Sequence, residues 1–178
     1  MHRRHALTLL AAAGGLAACA PGGTGGPTLG PDGLPLPRLY RISRAERGRI
    51  PGRALDAVNA LRAEAGAGPV VLNGDLTEAA QAHSRDMSLQ NRPWHFGSDG
   101  SSPLDRARRA GFRGRLLGEA VSETYESELE TILAWGQDPG PRRVLLDREA
   151  DSMGFAFFQE DNGKIWWTLT MGAAGAVA

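Results

Sequence analysis

The sequence lacks several features that would identify its class directly. Its 178 residues include a single cysteine, Cys19, so no disulfide can form within the chain and its fold must be held by packing. The 20 basic and 20 acidic side chains balance to a net charge of zero, which argues against nucleic acid as a partner. Because domains usually contain about 100 to 200 residues, the length indicates one domain with short additions.

The first nineteen residues have the pattern of an export signal. Arg3 and Arg4 precede an uncharged run over residues 6–18, which is shorter than the roughly 20 apolar residues of a membrane-spanning helix. The run ends in Leu-Ala-Ala-Cys, which resembles the lipobox of bacterial lipoproteins. That resemblance implies a signal peptide over residues 1–18 and attachment of lipid, such as palmitate, to Cys19. The alternative is an ordinary cleaved signal followed by a chance cysteine.

Residues 19–38 are expected to form a lipidated tether. Eleven of residues 20–38 are glycine or proline, and so polar a segment cannot bury enough surface to fold. Two or three acyl chains on Cys19 would hold the protein stably on a bilayer. The Ala20-Pro21 pair lacks the aspartate that often retains lipoproteins at the inner membrane, which favours the outer membrane, facing the periplasm or the cell surface. Export by the Sec or the twin-arginine route stays open.

Periodic apolar residues then predict four helices. The first covers residues 51–65, and the second runs from a cap at Asn73 or Asp75 towards Pro93, with His83 on its core face. A third, short helix begins at Ser102-Pro103. The fourth is predicted to begin at Ser122 or Thr124 and to end near residue 136, with its buried side formed by Leu129, Ile132, Leu133 and Trp135.

The period changes near the end of the chain. Residues 153–159 and 165–171 alternate as half-buried strands do, and Asn162-Gly163 between them is a strong hairpin signal. Helices followed by an antiparallel hairpin indicate an α+β domain, which we place at residues 39–172. We expect residues 173–178 to be a disordered tail.

The order of these segments resembles the CAP or SCP domain of cysteine-rich secretory proteins, antigen 5 and pathogenesis-related class 1 proteins, in its bacterial form. The resemblance rests on six motifs in sequence: the helix around Asp56-Ala57-Val58-Asn59, the helix from Leu76 to Met87, His95 with Gly97-Ser98-Asp99-Gly100 and Arg106, Gly118-Glu119-Ala120, Trp135 with Asp138-Pro139-Gly140, and the closing Met153-Gly154-Phe155 and Trp166-Trp167-Thr168. It implies a three-layer α-β-α sandwich with a central antiparallel sheet.

The family also implies a cleft with two histidines and two acidic residues, which in some members binds a divalent metal. His95 and Glu119 match the first histidine and first glutamate, and Asp138 falls near the second acid. The second histidine is replaced by Pro141. Because zinc sites generally use three or four protein ligands, His95, Glu119 and Asp138 are candidates only for weak zinc binding, and we expect no cofactor.

Three functions stay open for the domain. We expect a binding or scaffold module of the bacterial envelope with a degenerate cleft, anchored to the bilayer through acylated Cys19, with an envelope polymer or lipid as ligand. The first alternative is a hydrolase or peptidase using His95 with Glu119 and Asp138, although no Gly-x-Ser-x-Gly or His-Glu-x-x-His motif is present. The second is a carrier of lipid in an apolar groove. The arginines at 106, 108, 109, 113 and 115 form either a basic patch or a solvated helix face. The sequence leaves the oligomeric state open.

Overall fold

The computed structural model describes residues 40–123 and 125–174. The predicted signal peptide, Cys19, the tether, Thr124 and residues 175–178 lie outside that part of the chain. Residues 39–178 form one compact unit that contains all the described helices and strands, so we expect this unit to fold alone. Within the described residues, no helix combines the length and the apolar character needed to cross a membrane.

Six helices and four strands follow one another along the described chain. In order, they are α1 (Arg44–Arg47), α2 (Ile50–Glu64), β1 (Val71–Leu72), α3 (Gly74–Gln90), α4 (Pro103–Arg109), β2 (Arg115–Ser122), α5 (Glu128–Gln137), α6 (Pro139–Leu145), β3 (Ser152–Gln159) and β4 (Ile165–Ala173). β4 therefore continues to residue 173, where the sequence predicted the tail to begin.

The four strands form one sheet in the order β1-β3-β4-β2. β3 and β4 make the predicted hairpin, in which Phe155 lies opposite Leu169, and β2 adds to β4 antiparallel. β1 pairs in parallel with the start of β3, which the expectation of an antiparallel sheet did not include. Helices α3 and α4 pack on one face, and α2, α5 and α6 on the other. The predicted α-β-α sandwich is confirmed.

The prediction that the hairpin is half-buried is wrong. Trp166 and Trp167 point to opposite faces of β4, and both are completely buried. Helices cover both faces of the sheet, so the alternation of larger and smaller side chains in β4 does not separate a wet face from a dry one. On one face, α3 lies so close to β3 that a Cβ atom on Gly154 would collide with the backbone of Leu76.

Helix α5 also differs from its prediction. It begins at Glu128, after Ser127 caps it by accepting a hydrogen bond from the Glu130 amide, whereas Ser122 belongs to β2. Leu129 and Leu133 are 45% and 58% exposed, so they do not belong to the buried side. The predicted burial of Ile132 and Trp135 is confirmed, and the helix also buries Glu128, Thr131 and Gly136. This occurs because α5 packs on α2, where Leu61 fits against the side-chain-free surface of Gly136.

Two polar side chains, Arg62 and Gln81, join neighbouring elements of the fold. Arg62 of α2 is completely buried and donates hydrogen bonds to four backbone carbonyls, those of Gly68, Leu145, Asp147 and Ala150. These bonds join the end of α2 to the end of α6 and the loop before β3. Burial lowers the pKa of the Arg62 guanidinium. On the outer side of β3, beyond the two residues that β1 covers, the Gln81 amide donates to the Phe157 carbonyl at 3.0 Å.

Candidate functional site: one carboxylate between two histidines and an arginine

Glu119 lies at the centre of the candidate site. It is on β2, opposite Thr170 of β4, and its side chain is only 2% exposed. A buried carboxylate needs charged or hydrogen-bonding partners to offset its lost hydration. Here those partners come from α3, α4 and the loop between them, so the sheet fixes the carboxylate and the other layer supplies its contacts.

His95 is the exposed partner of this carboxylate. Its Nδ1 lies 3.0 Å from Glu119 Oε1, while half of its side chain remains open to solvent. Within the described residues, Nε2 of this ring makes no hydrogen bond. The sequence paired these two residues, and the structure brings them together. The contact fixes one ring nitrogen on the carboxylate and leaves the other facing a surface groove.

Arg106 is the buried partner. It extends from α4, a short helix that begins with a capping box in which Ser102 and Asp105 bond each other's backbone amides. Its Nη2 lies 3.0 Å and 2.8 Å from the two oxygens of Glu119, and it also donates to the His95 carbonyl. The same guanidinium therefore neutralises the glutamate and holds the histidine loop in place. Its Nε is buried without a hydrogen-bond partner among the described residues.

His83 is a third neighbour of Glu119. It is completely buried on α3, as the sequence predicted, and its Nε2 lies 2.8 Å from the Trp94 carbonyl and 3.6 Å from Glu119 Oε1. Nε2 therefore carries a proton, and the buried Nδ1 has no partner in the described part of the chain. Burial lowers the pKa of His83, although the negative charge of Glu119 partly opposes that shift. The imidazole is thus neutral at neutral pH.

The sequence did not connect His83 with the cleft. It placed this residue only on the core face of its helix, and the spacing to His95 carried no recognisable motif. The structure shows why both histidines lie beside Glu119. Asn91, which caps the end of α3, adopts a left-handed conformation with φ of 49°, and the chain then turns back across the helix. The carbonyl of Trp94 is thereby brought to His83, and His95 to Glu119.

Asp138 has a different setting. Its exposed carboxylate caps α6, where it accepts a hydrogen bond from the Gly140 amide at 2.9 Å. Among residues 40–123 and 125–174, no three His, Cys, Asp or Glu side chains are placed to hold a metal ion, so His95, Glu119 and Asp138 do not form a three-ligand site. Both oxygens of Glu119 face the Arg106 guanidinium instead. The residues present therefore do not fit the divalent metal that the family resemblance implied.

An open groove of about 410 Å³ lies beside His95 and Glu119. Apart from this pair, its lining is mostly apolar and comes from α4, β2 and α6: Ser102, Pro103, Leu104, Leu116, Leu117, Gly118 and Val144. The hydroxyl of Ser102 donates to Asp105 and is not directed at the histidine. The groove can accept an extended or flat ligand, but it supplies no nucleophile beside His95.

The five arginines do not form a free basic patch. Arg106 is buried against Glu119, Arg109 pairs with Asp99, and Arg115 pairs with Glu149. The partner of Arg109 belongs to the tight turn after His95, in which a Cβ on Gly97 would approach the Ser101 hydroxyl to 2.5 Å. The hydroxyl and amide of Ser101, together with Arg109, hold the pKa of Asp99 well below its usual range. Arg106 and Arg109 thus stabilise the loop, whereas Arg108 and Arg113 are exposed and form no ion pair among the described residues.

A three-layer sandwich whose cleft centres on a histidine and a glutamate defines the class of this protein. The chain belongs to the CAP, or cysteine-rich secretory protein, family, whose model matches residues 55–171. Among curated proteins, it is 25% identical over 114 residues to the uncharacterized protein YkwD of Bacillus subtilis. The match covers 64% of this chain and 44% of YkwD, so the chain spans less than half of that relative.

Two solved structures share the fold at low sequence identity. An outer surface protein of Borrelia burgdorferi superposes with a TM-score of 0.64 and 15% identity, covering 76% of this chain and 98% of that one. An extracellular protein of Bacillus anthracis that contains an SCP domain gives a TM-score of 0.63 and 18% identity, over 74% and 44% of the two chains.

Proposed function

We propose that this chain is a lipid-anchored CAP-domain protein of the bacterial envelope, held outside the cytoplasm by acylated Cys19, and that its domain binds an envelope polymer or lipid without catalysing a reaction. The observation that carries the binding assignment is the state of Glu119. Its two oxygens are taken by the Arg106 guanidinium and the His95 ring. A carboxylate neutralised in this way is a poor general base and a poor metal ligand.

The location is supported by the N-terminal sequence and by the relatives. The charged start, the short apolar run and the Leu-Ala-Ala-Cys motif together have the pattern of a lipoprotein signal. The two structural neighbours are described as an outer surface protein and an extracellular protein. Both descriptions agree with the side of the membrane that the signal predicts for this chain.

The anchor is tested by expressing the full chain in a bacterial host supplied with radiolabelled palmitate. We expect label on the protein and recovery in the membrane fraction. The matched control is Cys19→Ala, which should lose both the label and the membrane association. Equal labelling of the wild type and the variant would contradict the proposal.

The degenerate cleft is tested by calorimetric titration of zinc into residues 39–178. We expect no stoichiometric binding, because the Arg106 charge lies against the only buried carboxylate of the cleft. His95→Ala is the control for the histidine. Tight one-to-one binding by the wild type that disappears in His95→Ala would overturn this assignment.

Ligand binding in the groove is tested by co-sedimentation with purified cell-wall sacculi and with lipopolysaccharide. Leu104 lines the groove and is 37% exposed, so Leu104→Glu would put a charge in the groove without disturbing the core. Leu129→Glu on α5 is the matched control. We expect retention that Leu104→Glu removes and Leu129→Glu preserves. The absence of retention, or an equal effect of both variants, would exclude the groove as the site for these ligands.

A hydrolase is the second candidate, and one observation favours it. The half-exposed His95 has Nδ1 on a carboxylate and Nε2 free, which is the arrangement of a histidine general base. It predicts ester or peptide hydrolysis that vanishes in His95→Ala. If model esters and peptides react no faster with the wild type than with His95→Ala, this candidate is excluded.

A further inference from the structure

The end of α3 and the loop that follows it expose apolar side chains away from the cleft. Leu89 is 85% exposed, the highest value among the large apolar residues that the structure describes, and Phe96 is 49% exposed. The ring of the partly exposed Trp94 lies 5.6 Å from that of Phe96. The other three tryptophans, at positions 135, 166 and 167, are all buried. This is therefore the only place where the chain brings a tryptophan to its surface.

These side chains are held on a rigid support. The amides of Asn91 and Arg92 bond back to the carbonyls of Ser88 and Met87 and close the end of α3. The Trp94 indole donates to the Gln90 side chain at 2.7 Å, while the Trp94 carbonyl accepts from buried His83. A loop fixed at both its backbone and its indole presents the two rings in one defined position.

Positive charge surrounds the exposed apolar groups. The Arg92 guanidinium stacks 3.9 Å from the Trp94 ring, and Arg85 lies one helical turn before Leu89. In the described part of the chain, neither arginine has a carboxylate within ion-pair distance. The neighbouring carboxylate of Asp86 is occupied by the amide and hydroxyl of Ser98 and by Gln90. The Arg85 guanidinium lies 5.9 Å from the centroid of the Phe158 ring. Both arginines therefore rest on aromatic rings without an ion pair among the described residues, and each charge can still meet an external anion.

We propose that this surface, formed by Arg85, Leu89, Arg92, Trp94 and Phe96 and called here the α3-end surface, docks on the headgroup region of an anionic bilayer. Tryptophan rings favour the membrane interface, and arginine can extend its charge to the lipid phosphates while its stem stays among apolar groups. Basic residues close to such a surface are attracted by the anionic headgroups. The domain would then touch the membrane directly.

A second copy of the chain fits this surface less well. In a symmetric dimer the same patch faces itself, so Arg85 and Arg92 of the two copies would repel each other. The exposed leucines of α5 provide a contrast. Leu133 lines a surface hollow with Glu126 and Glu130, whose charges an anionic bilayer would repel. The outer face of α5 therefore offers similar apolar area with the opposite charge.

The experiment uses residues 39–178, which lack Cys19. The vesicles contain phosphatidylcholine and phosphatidylglycerol in a ratio of two to one. Half of the vesicles carry brominated acyl chains. Bromine quenches only tryptophans that reach the lipid, and Trp94 is the only one that can do so without unfolding. We expect quenching and a blue shift of the emission, with binding that weakens as salt is added. Failure would leave the Cys19 anchor untouched, so the two proposals are tested separately.

Matched variants assign the binding to the α3-end surface. Leu89→Asn with Phe96→Ser should weaken vesicle binding roughly tenfold or more, because these two side chains would no longer transfer apolar surface from water to lipid. Leu129→Asn with Leu133→Asn removes similar apolar area from α5 and should leave binding unchanged. Arg85→Gln with Arg92→Gln should lower the salt dependence, whereas Arg143→Gln on α6 should not. Melting curves would verify that each variant is folded.

Four results would overturn the proposal. The first is the absence of vesicle binding, and the second is an equal loss in the α3-end and α5 variants. The third is concentration-dependent self-association in sedimentation that Leu89→Asn abolishes, because it would assign the surface to a second copy. Binding without quenching of Trp94 would likewise place the lipid contact elsewhere.

Discussion

The two buried arginines of this domain lie in different layers and have different partners. Arg62, in the layer of α2, α5 and α6, donates to four backbone carbonyls and forms no ion pair among the described residues, although the charge of Asp147 lies near it. Arg106, in the layer of α3 and α4, contacts a carboxylate and two carbonyls. Both side chains are more than nine-tenths buried. Equal burial therefore does not imply an equal role.

The difference is clearest in the polar atoms that are left unpaired. The four carbonyl contacts of Arg62 satisfy its guanidinium, and no ligand could reach it. Around Arg106, its own Nε and the Nδ1 of His83 are both buried without partners among the described residues. Unpaired buried polar atoms are uncommon in native proteins and call for an explanation. The contacts of Arg62 serve to hold neighbouring elements together. Around Arg106, unpaired buried polar atoms that reduce stability lie beside an open groove.

The largest effect is expected from removing the hydrogen bonds of Arg62. Arg62→Met would remove hydrogen bonds from four carbonyls and leave the buried carbonyls of Leu145 and Ala150 without this partner, so we expect the free energy of unfolding to fall by about 4 kcal/mol. Chemical denaturation of residues 39–178 measures it. Arg108→Met, at an exposed position on α4, is the control and should change little. A similar small loss in both variants would remove the contrast between the regions.

The next largest effect is expected at the carboxylate. Glu119→Gln deprives the buried Arg106 charge of its counter-ion and should lower the free energy of unfolding by about 3 kcal/mol. Replacing both partners, as in Glu119→Leu with Arg106→Met, should restore much of that loss because no buried charge remains. If the double variant is no more stable than Glu119→Gln, the pair is not the reason for the cost.

A pH dependence should separate the two regions further. The pKa of His83 is below its ordinary value near 6.5 in the folded chain, so the unfolded chain binds a proton first as the pH falls. Stability is then fully present above about pH 6.5 and decreases below it. The unfolding midpoint of the wild type should fall as the pH is lowered from 7.5 to 5.0. In His83→Gln the midpoint should depend less on pH. An unchanged slope in His83→Gln would assign the effect to another group.

The smallest effect is expected at the exposed pair beside the cleft. Arg109 and Asp99 are both more than half exposed, and solvent weakens such ion pairs strongly. Arg109→Ala should shift the melting temperature by no more than a few degrees. A larger decrease would show that the loop carrying His95 depends on this contact and not mainly on Arg106.

Much of the fold could be predicted because local signals agreed with the final packing. α3 has its cap at Asn73, α4 has Ser102 before proline, and the hairpin has Asn162-Gly163. Other elements gave weak signals. β2 contains a glycine, a buried glutamate and a register shift after Leu116, and α6 begins with Pro-Gly-Pro, which reads as a loop. These elements depend on their contacts with the rest of the sheet and with the neighbouring helices.

The candidate site was predictable only in part. His95 and Glu119 could be paired because the family motifs contain them, whereas the sequence placed His83 only on the core face of the second helix. The burial of Arg106 was equally hidden, since its neighbours at 108, 109 and 113 are exposed arginines on the same stretch of chain. A sequence pattern identifies the type of each residue. The site depends also on which side chains of the opposite layer each residue contacts, and a pattern does not give those contacts. The same limit explains the wrong placement of Leu129 and Leu133 on α5.

The short β1 has a consequence for how copies of this domain behave at high concentration. Beyond Met153, no described strand pairs with the outer edge of β3, and an open edge can template the pairing of further chains. Gln81 of α3 blocks that edge by taking the Phe157 carbonyl. A single amide side chain therefore protects the domain against edge-to-edge aggregation with other copies of itself.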